Sequence, residues 1–153
     1  MGNRGLANRA LYLARLLLDG WQLAARDAAD PAALDAAYLA AARQQLLQAY
    51  GWFLLAVSGA DTQLQPQLLP RAVAELPPPE PGRASAPELQ EFAALERDGW
   101  LAEMLREPPL TAAPVPARAL ASDRPSADPR AAQRWLRALQ DTMARMDDSL
   151  NEC

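Results

Sequence analysis

Histidine, lysine and isoleucine are absent from this chain, and cysteine occurs once, as Cys153. Without histidine the commonest general base is missing, which excludes histidine-dependent hydrolases and nucleases, including helical nucleases built on an arginine-to-histidine motif. The same absence, with one terminal thiol, leaves almost no ligands for zinc, haem or an ordinary di-iron bundle site. One thiol closes no intramolecular disulfide, so nothing calls for an oxidising compartment. Cys153 reads as a frayed terminal residue, with an intermolecular disulfide or a reactive thiol as the sharper alternative.

Glycine is sparse as well. The seven glycines are scattered, so no phosphate-cradling loop is formed from them. Valine is scarce, which with the missing isoleucine removes most strong strand formers and favours helix. No stretch reaches the roughly 20 apolar residues of a membrane span. The apolar run at 11–18 is interrupted by Arg15 and has no clean cleavage site after it, so it does not read as a signal peptide. The expectation is a cytoplasmic chain.

What remains is ordinary globular material. The 153 residues suffice for one domain with a real core. Half are apolar, chiefly alanine and leucine, and 22% are charged. All 15 basic residues are arginine. Lysine and isoleucine codons are AT-rich, so a bacterial gene from a GC-rich genome is the simplest source of this bias; selection for guanidinium chemistry is the other. The net charge of −4 argues against non-specific nucleic-acid binding, although a local basic patch is compatible with it.

Four helices are predicted. The first spans about 3–28, with Leu6, Ala10, Leu13, Ala14, Leu17, Trp21, Ala24 and Ala28 as its apolar stripe and Arg4, Asn8, Arg15, Asp19, Gln22 and Arg26 on another face. Asp30 caps the second, 31–58, with Pro31 at its first position and Gly59 at its stop. Its second half is apolar almost all round and requires burial by other helices. The short turn makes an antiparallel hairpin that sets Trp21 near Tyr38, Tyr12 near Leu47 and Leu6 near Phe53. Gly51, inside this helix, costs about 1 kcal/mol relative to alanine and predicts a close backbone approach.

The third helix, 86–106, opens on Ser85-Ala86-Pro87-Glu88, a capping-box pattern. Its apolar side is Leu89, Phe92, Ala93, Trp100 and Met104, with Leu95 and Leu105 alongside, and its many acids read as solvated. The fourth, 129–150, repeats the Asp-Pro start at Asp128-Pro129 and offers Ala132, Trp135, Leu136, Leu139, Met143, Met146 and Leu150 to a core. Two proline-rich connections, 59–85 and 107–128, link these helices. Residues 70–76 have the composition for one or two helical turns. Pro77-Pro78-Pro79 is an extended spacer, or a docking segment for a partner with an aromatic groove. None of the 14 prolines interrupts a predicted helix. The architecture is all-α: a single-domain four-helix up-down bundle.

Four stretches form a pattern: Asn8-Arg9-Ala10-Leu11-Tyr12-Leu13-Ala14; Tyr50-Gly51 with Leu54 and Gly59; Pro87-Glu88-Leu89 with Trp100-Leu101-Ala102 and Leu105; and the Trp135 helix. With them the chain resembles a family of small all-helical proteins of unknown function from pseudomonads and related gammaproteobacteria. The residues that carry it are core and turn residues, so the resemblance implies fold and bacterial origin and supplies no catalytic residue.

Two patterns invite a functional reading. Gly20-Trp21, Gly51-Trp52 and Gly99-Trp100 repeat one dipeptide, but the hairpin register separates Trp21 from Trp52, so helix packing accounts for them better than a shared pocket. Arg130, Arg134 and Arg137 share one face at the start of the last helix, where the dipole disfavours cations. Either the acids of the third helix face them or they await an acidic protein or a nucleic acid. Arg137, Asp141 and Arg145 also have the spacing of a charge ladder. No catalytic, cofactor-binding or metal residue is expected. The leading expectation is a non-catalytic protein-interaction or adaptor module whose partner is another protein or itself. The alternatives are a ligand binder or carboxylate enzyme in the bundle cavity, and weak nucleic-acid binding through the three arginines.

Overall fold

Asp30 starts the longest helix as its residue type dictates: its Oδ1 accepts from the Ala33 amide at 3.1 Å, and Pro31 follows at the first helical position. The computed structural model describes residues 1–62, 64–79, 81–82, 84–106 and 128–151. Among these the chain is all-helical. The helices are α1 (Asn3–Ala24), α2 (Pro31–Val57), α3 (Pro87–Asp98), α4 (Trp100–Leu105) and α5 (Pro129–Asn151). No helix among the described residues is long and apolar enough to cross a membrane. Cys153 and the connection at 107–127 lie outside the described residues.

α1 and α2 form the expected antiparallel hairpin. Trp21 stacks on Tyr38 with centroids 6.1 Å apart, and its indole N–H donates to Asp35 Oδ1 at 2.7 Å. At the far end Asn3 Nδ2 donates to the Ala60 carbonyl at 2.7 Å. α1 ends at Ala24, short of the predicted 28, because residues 25–30 are needed to reverse the chain. Its buried face is also rotated from the predicted stripe. Ala7, Ala10, Leu11, Ala14, Leu18 and Trp21 are buried, Leu13 and Leu17 are half-buried, and Tyr12 turns outward.

α2 closes on a glycine in the manner its sequence suggests. Gly59 has φ 73°, its N–H reaches the Ala56 carbonyl, and the Ala60 N–H reaches that of Leu55. These two bonds form a Schellman motif that satisfies the last carbonyls of the helix. Every residue from Ala49 to Leu55 is buried. α1, α5, α3 and α4 all pack on α2, which is how a helix apolar around its circumference escapes water.

The connection after α2 is more than a spacer. Leu69 and Pro70 are buried against α2, between two 3₁₀ turns at Pro66–Leu68 and Val73–Glu75. A Cβ placed on Gly51 would lie 2.8 Å from the Pro70 carbonyl oxygen and 2.9 Å from Leu69 Cβ. Gly51 therefore is a close-approach point, but the backbone that approaches it belongs to this loop. Pro77, Pro78 and Pro79 are exposed and outside any helix.

The predicted third helix is two helices. Ala86, not Ser85, occupies the N-cap, because Pro87 takes the first helical position; no side chain caps this end, so the capping box is not formed. At Gly99 the backbone becomes extended and the chain restarts as α4. The break has a packing reason. At about 100° per residue, Phe92 and Leu101 would project from opposite faces of one continuous helix. Broken at glycine, the segment buries both completely, together with Met104.

α5 starts as predicted, with Asp128 Oδ1 accepting from the Arg130 amide at 2.9 Å. Ala132, Trp135, Leu136, Leu139, Met143 and Met146 are buried against the other helices; the Leu150 side chain lies outside the described residues.

Candidate functional site

The helical period carries Arg130, Arg134 and Arg137 to the outer side of α5, opposite the buried Ala132, Trp135, Leu136 and Leu139. All three are exposed, and with Gln133, Ala138 and Asp141 they line a surface concavity of about 480 Å³. Arg134 approaches Glu103 of α4 at 4.0 Å and Asp128 at 3.9 Å, both at the outer limit of an ion pair. Its own side chain is 61% exposed, so these contacts contribute little against solvent screening. Arg130 and Arg137 have no side-chain hydrogen bond or ion pair among the described residues. Among the described residues, Glu103 is the one acid of the predicted third helix that reaches this face, and it reaches Arg134 alone.

The charge ladder is not formed along α5. Among the described residues Arg145 pairs with Glu91 of α3 instead, through both guanidinium Nη atoms, one of them at 3.1 Å. A two-pronged bond across helices fits the planar fork better than a single contact along one helix. The bond from Arg145 holds the Glu91 carboxyl below its ordinary value and raises the Arg145 guanidinium in turn.

Three polar anchors escape sequence reasoning. Arg43 of α2 donates from Nε to the Met104 carbonyl at 2.8 Å and from Nη2 to those of Leu105 and Arg106 at 3.1 Å each. It caps the C-terminus of α4, where a cation is also favoured by the helix dipole. Glu96 is not one of the solvated acids: its Oε1 accepts from the Tyr50 hydroxyl at 2.5 Å and from the Val73 amide at 2.9 Å. Burial, then the Glu96 bond, pushes the Tyr50 phenol well above its usual range. Arg4, placed on the outer face of α1 by periodicity, lies 4.6 Å over the Phe53 ring, pairs with Asp147 and donates to the Met143 carbonyl at 3.3 Å. Burial lowers its pKa from the ordinary guanidinium value. Each anchor depends on two segments far apart in the chain, so no local spacing announces it.

The glycine–tryptophan repeats do not converge on a pocket of their own. Trp21 is taken up by Tyr38 and Asp35, Trp52 is buried within α2, and Trp100 is half-buried on α4. Among the described residues no three histidine, cysteine, aspartate or glutamate side chains are grouped to hold a metal ion. What the arginine face offers chemically is a set of fixed cations with guanidinium donors turned to solvent. No protein-family model, no curated protein and no solved structure matches the chain.

Proposed function

We propose that this chain is a non-catalytic protein-interaction module of the bacterial cytoplasm. In this reading it is a four-helix up-down bundle, with α3 and α4 forming one leg, that presents Arg130, Arg134 and Arg137 to an acidic segment of another protein. One observation carries it. On a chain of net charge −4, Arg130 and Arg137 are exposed, share one concavity, and have no ionic partner among the described residues. Arg4, Arg43 and Arg145, by contrast, are spent on internal contacts. Guanidinium groups free to fork onto carboxylates suit recognition of an acidic partner.

Fluorescence anisotropy with a labelled acidic peptide, and with a DNA duplex as comparator, tests the reading. The wild-type chain should bind the peptide in a salt-dependent manner, and Arg130→Glu with Arg137→Glu should abolish binding while leaving the circular dichroism unchanged. Equal peptide binding by both proteins would reject the proposal. Preference for the duplex would favour nucleic acid instead.

A further inference from the structure

Among the described residues α1 leaves one face without a partner. Tyr12, Leu16 and Leu23 are 59%, 48% and 63% exposed, and they recur at four and seven residues, which sets them in one line along the helix. Single exposed leucines need no explanation, but an aligned row on one helix does. The full outward seam of α1 is Arg9, Tyr12, Leu16, Asp19 and Leu23, spaced alternately three and four apart. That spacing is the one with which a helix presents a seam to a second helix. α2 and α5 pack on α1 from the other side, so this seam is a second interface in waiting rather than a misassigned core stripe.

We propose that α1 is a self-association surface, on which a second copy of this chain docks its own α1 antiparallel. Charge order along the seam selects this occupant. A parallel pair would set Arg15 against Arg15 and Asp19 against Asp19. The antiparallel pair sets Tyr12 against Leu23 of the second copy and Leu16 beside its Asp19. Each Asp19 then falls next to Arg15 of the other chain, twice over by symmetry. Among the described residues Arg15 reaches Gln140 alone, at 3.3 Å on the exposed surface, and is available for this exchange. An uncharged apolar partner would instead cover Asp19 without a counter-ion, which costs stability. The self-complementary order is the requirement of a two-fold interface, the commonest closed symmetry. Tyr12, Leu16 and Leu23 lie apart from the α5 arginines, whereas Arg15 and Asp19 share one concavity with Arg137, so Leu16→Glu tests this proposal and Arg130→Glu the other.

Sedimentation velocity on the full chain from micromolar to near-millimolar concentration, with reductant present so that Cys153 cannot join two chains, reads the outcome. A reversible monomer–dimer equilibrium is expected, weak because one helix face is a small interface. Leu16→Glu should raise the dissociation constant by about a hundredfold, as a charge in the seam is left unpaired. Charge reversal gives a test that does not depend on that variant. Asp19→Arg and Arg15→Asp should each associate poorly alone, and an equimolar mixture should form a heterodimer, because each mutated charge then faces its opposite. A chain monomeric throughout the range overturns the proposal. So does a dimer that is indifferent to Leu16→Glu, or a mixture no stronger than its components.

Discussion

The hydroxyl of Tyr50 donates to Glu96 at 2.5 Å, and the same carboxylate oxygen accepts the Val73 amide, so one atom joins α2, α3 and the loop between them. Tyr50 is wholly buried, edge-on to Phe92 with centroids 5.2 Å apart. Tyr50→Phe keeps this packing and removes one acceptor's strongest donor, and should lower stability by about 1–2 kcal/mol in urea unfolding. The pH dependence has a definite sign. The folded phenol holds its proton above the value of the unfolded one, near 10. Above that pH the folded state binds more protons than the unfolded state, so stability falls as pH rises. The urea midpoint of the wild type should therefore drop on the alkaline side, and Tyr50→Phe should remove that part of the drop.

Gly51→Ala sets helix propensity against packing. Alanine gains about 1 kcal/mol as a helix former, but its Cβ would sit 2.8 Å from the Pro70 oxygen, a backbone atom that moves only with its loop. Overpacking should win, for a net loss of about 1–2 kcal/mol. Thermal melts decide it; a rise in the midpoint would show that the 69–70 loop yields freely.

Arg43→Ala removes the three-carbonyl cap of α4 and should cost about 2 kcal/mol, since charge-assisted bonds are lost and two partly buried carbonyls lose their donor. Arg43→Lys retains the charge without the fork, and should recover only a minor part of that loss. Full recovery by lysine, measured by urea unfolding, would mean that charge alone stabilises this end.

The Arg145–Glu91 pair should contribute no more than about 0.5 kcal/mol, because both side chains are substantially exposed. Glu91 is held below its ordinary value, so its contribution is present above the unfolded carboxyl pKa and fades as pH falls through the folded one. Urea midpoints of Glu91→Gln and the wild type should differ slightly at neutral pH, more at low than at high salt, and converge in acid.

The hairpin was legible because its signals are local. Asp30 and Pro31 start α2, Gly59 ends it, and Trp21 and Tyr38 count outward from the turn to a stack that the structure contains. The apolar run at 46–57 rightly called for cover on every side. The break at Gly99 was not legible, since the acids and leucines around it fit an unbroken helical period; only the shared burial of Phe92 and Leu101 reveals it. Nor was the loop seat on Gly51, because a glycine shows that something comes close without saying what. For the candidate site, periodicity placed Arg130, Arg134 and Arg137 together on α5, but it could not tell that Arg145 would turn from Asp141 to Glu91 or that Arg134 would reach Glu103 and Asp128. The exposed row on α1 was hidden by a similar ambiguity, as leucines at 13, 16, 17 and 18 offer more than one stripe.

The interruption at Gly99 makes α4 dependent on its neighbours. With six residues, α4 is too short to recover the cost of its own nucleation. Its turns persist because α2 and α5 lie against them and Arg43 holds their last carbonyls. α4 is thus a dependent element, held by its packing on α2 and α5. Its amides should lose protection from hydrogen exchange at lower denaturant than those of α2, making this one short segment a gauge of whether the core is fully assembled.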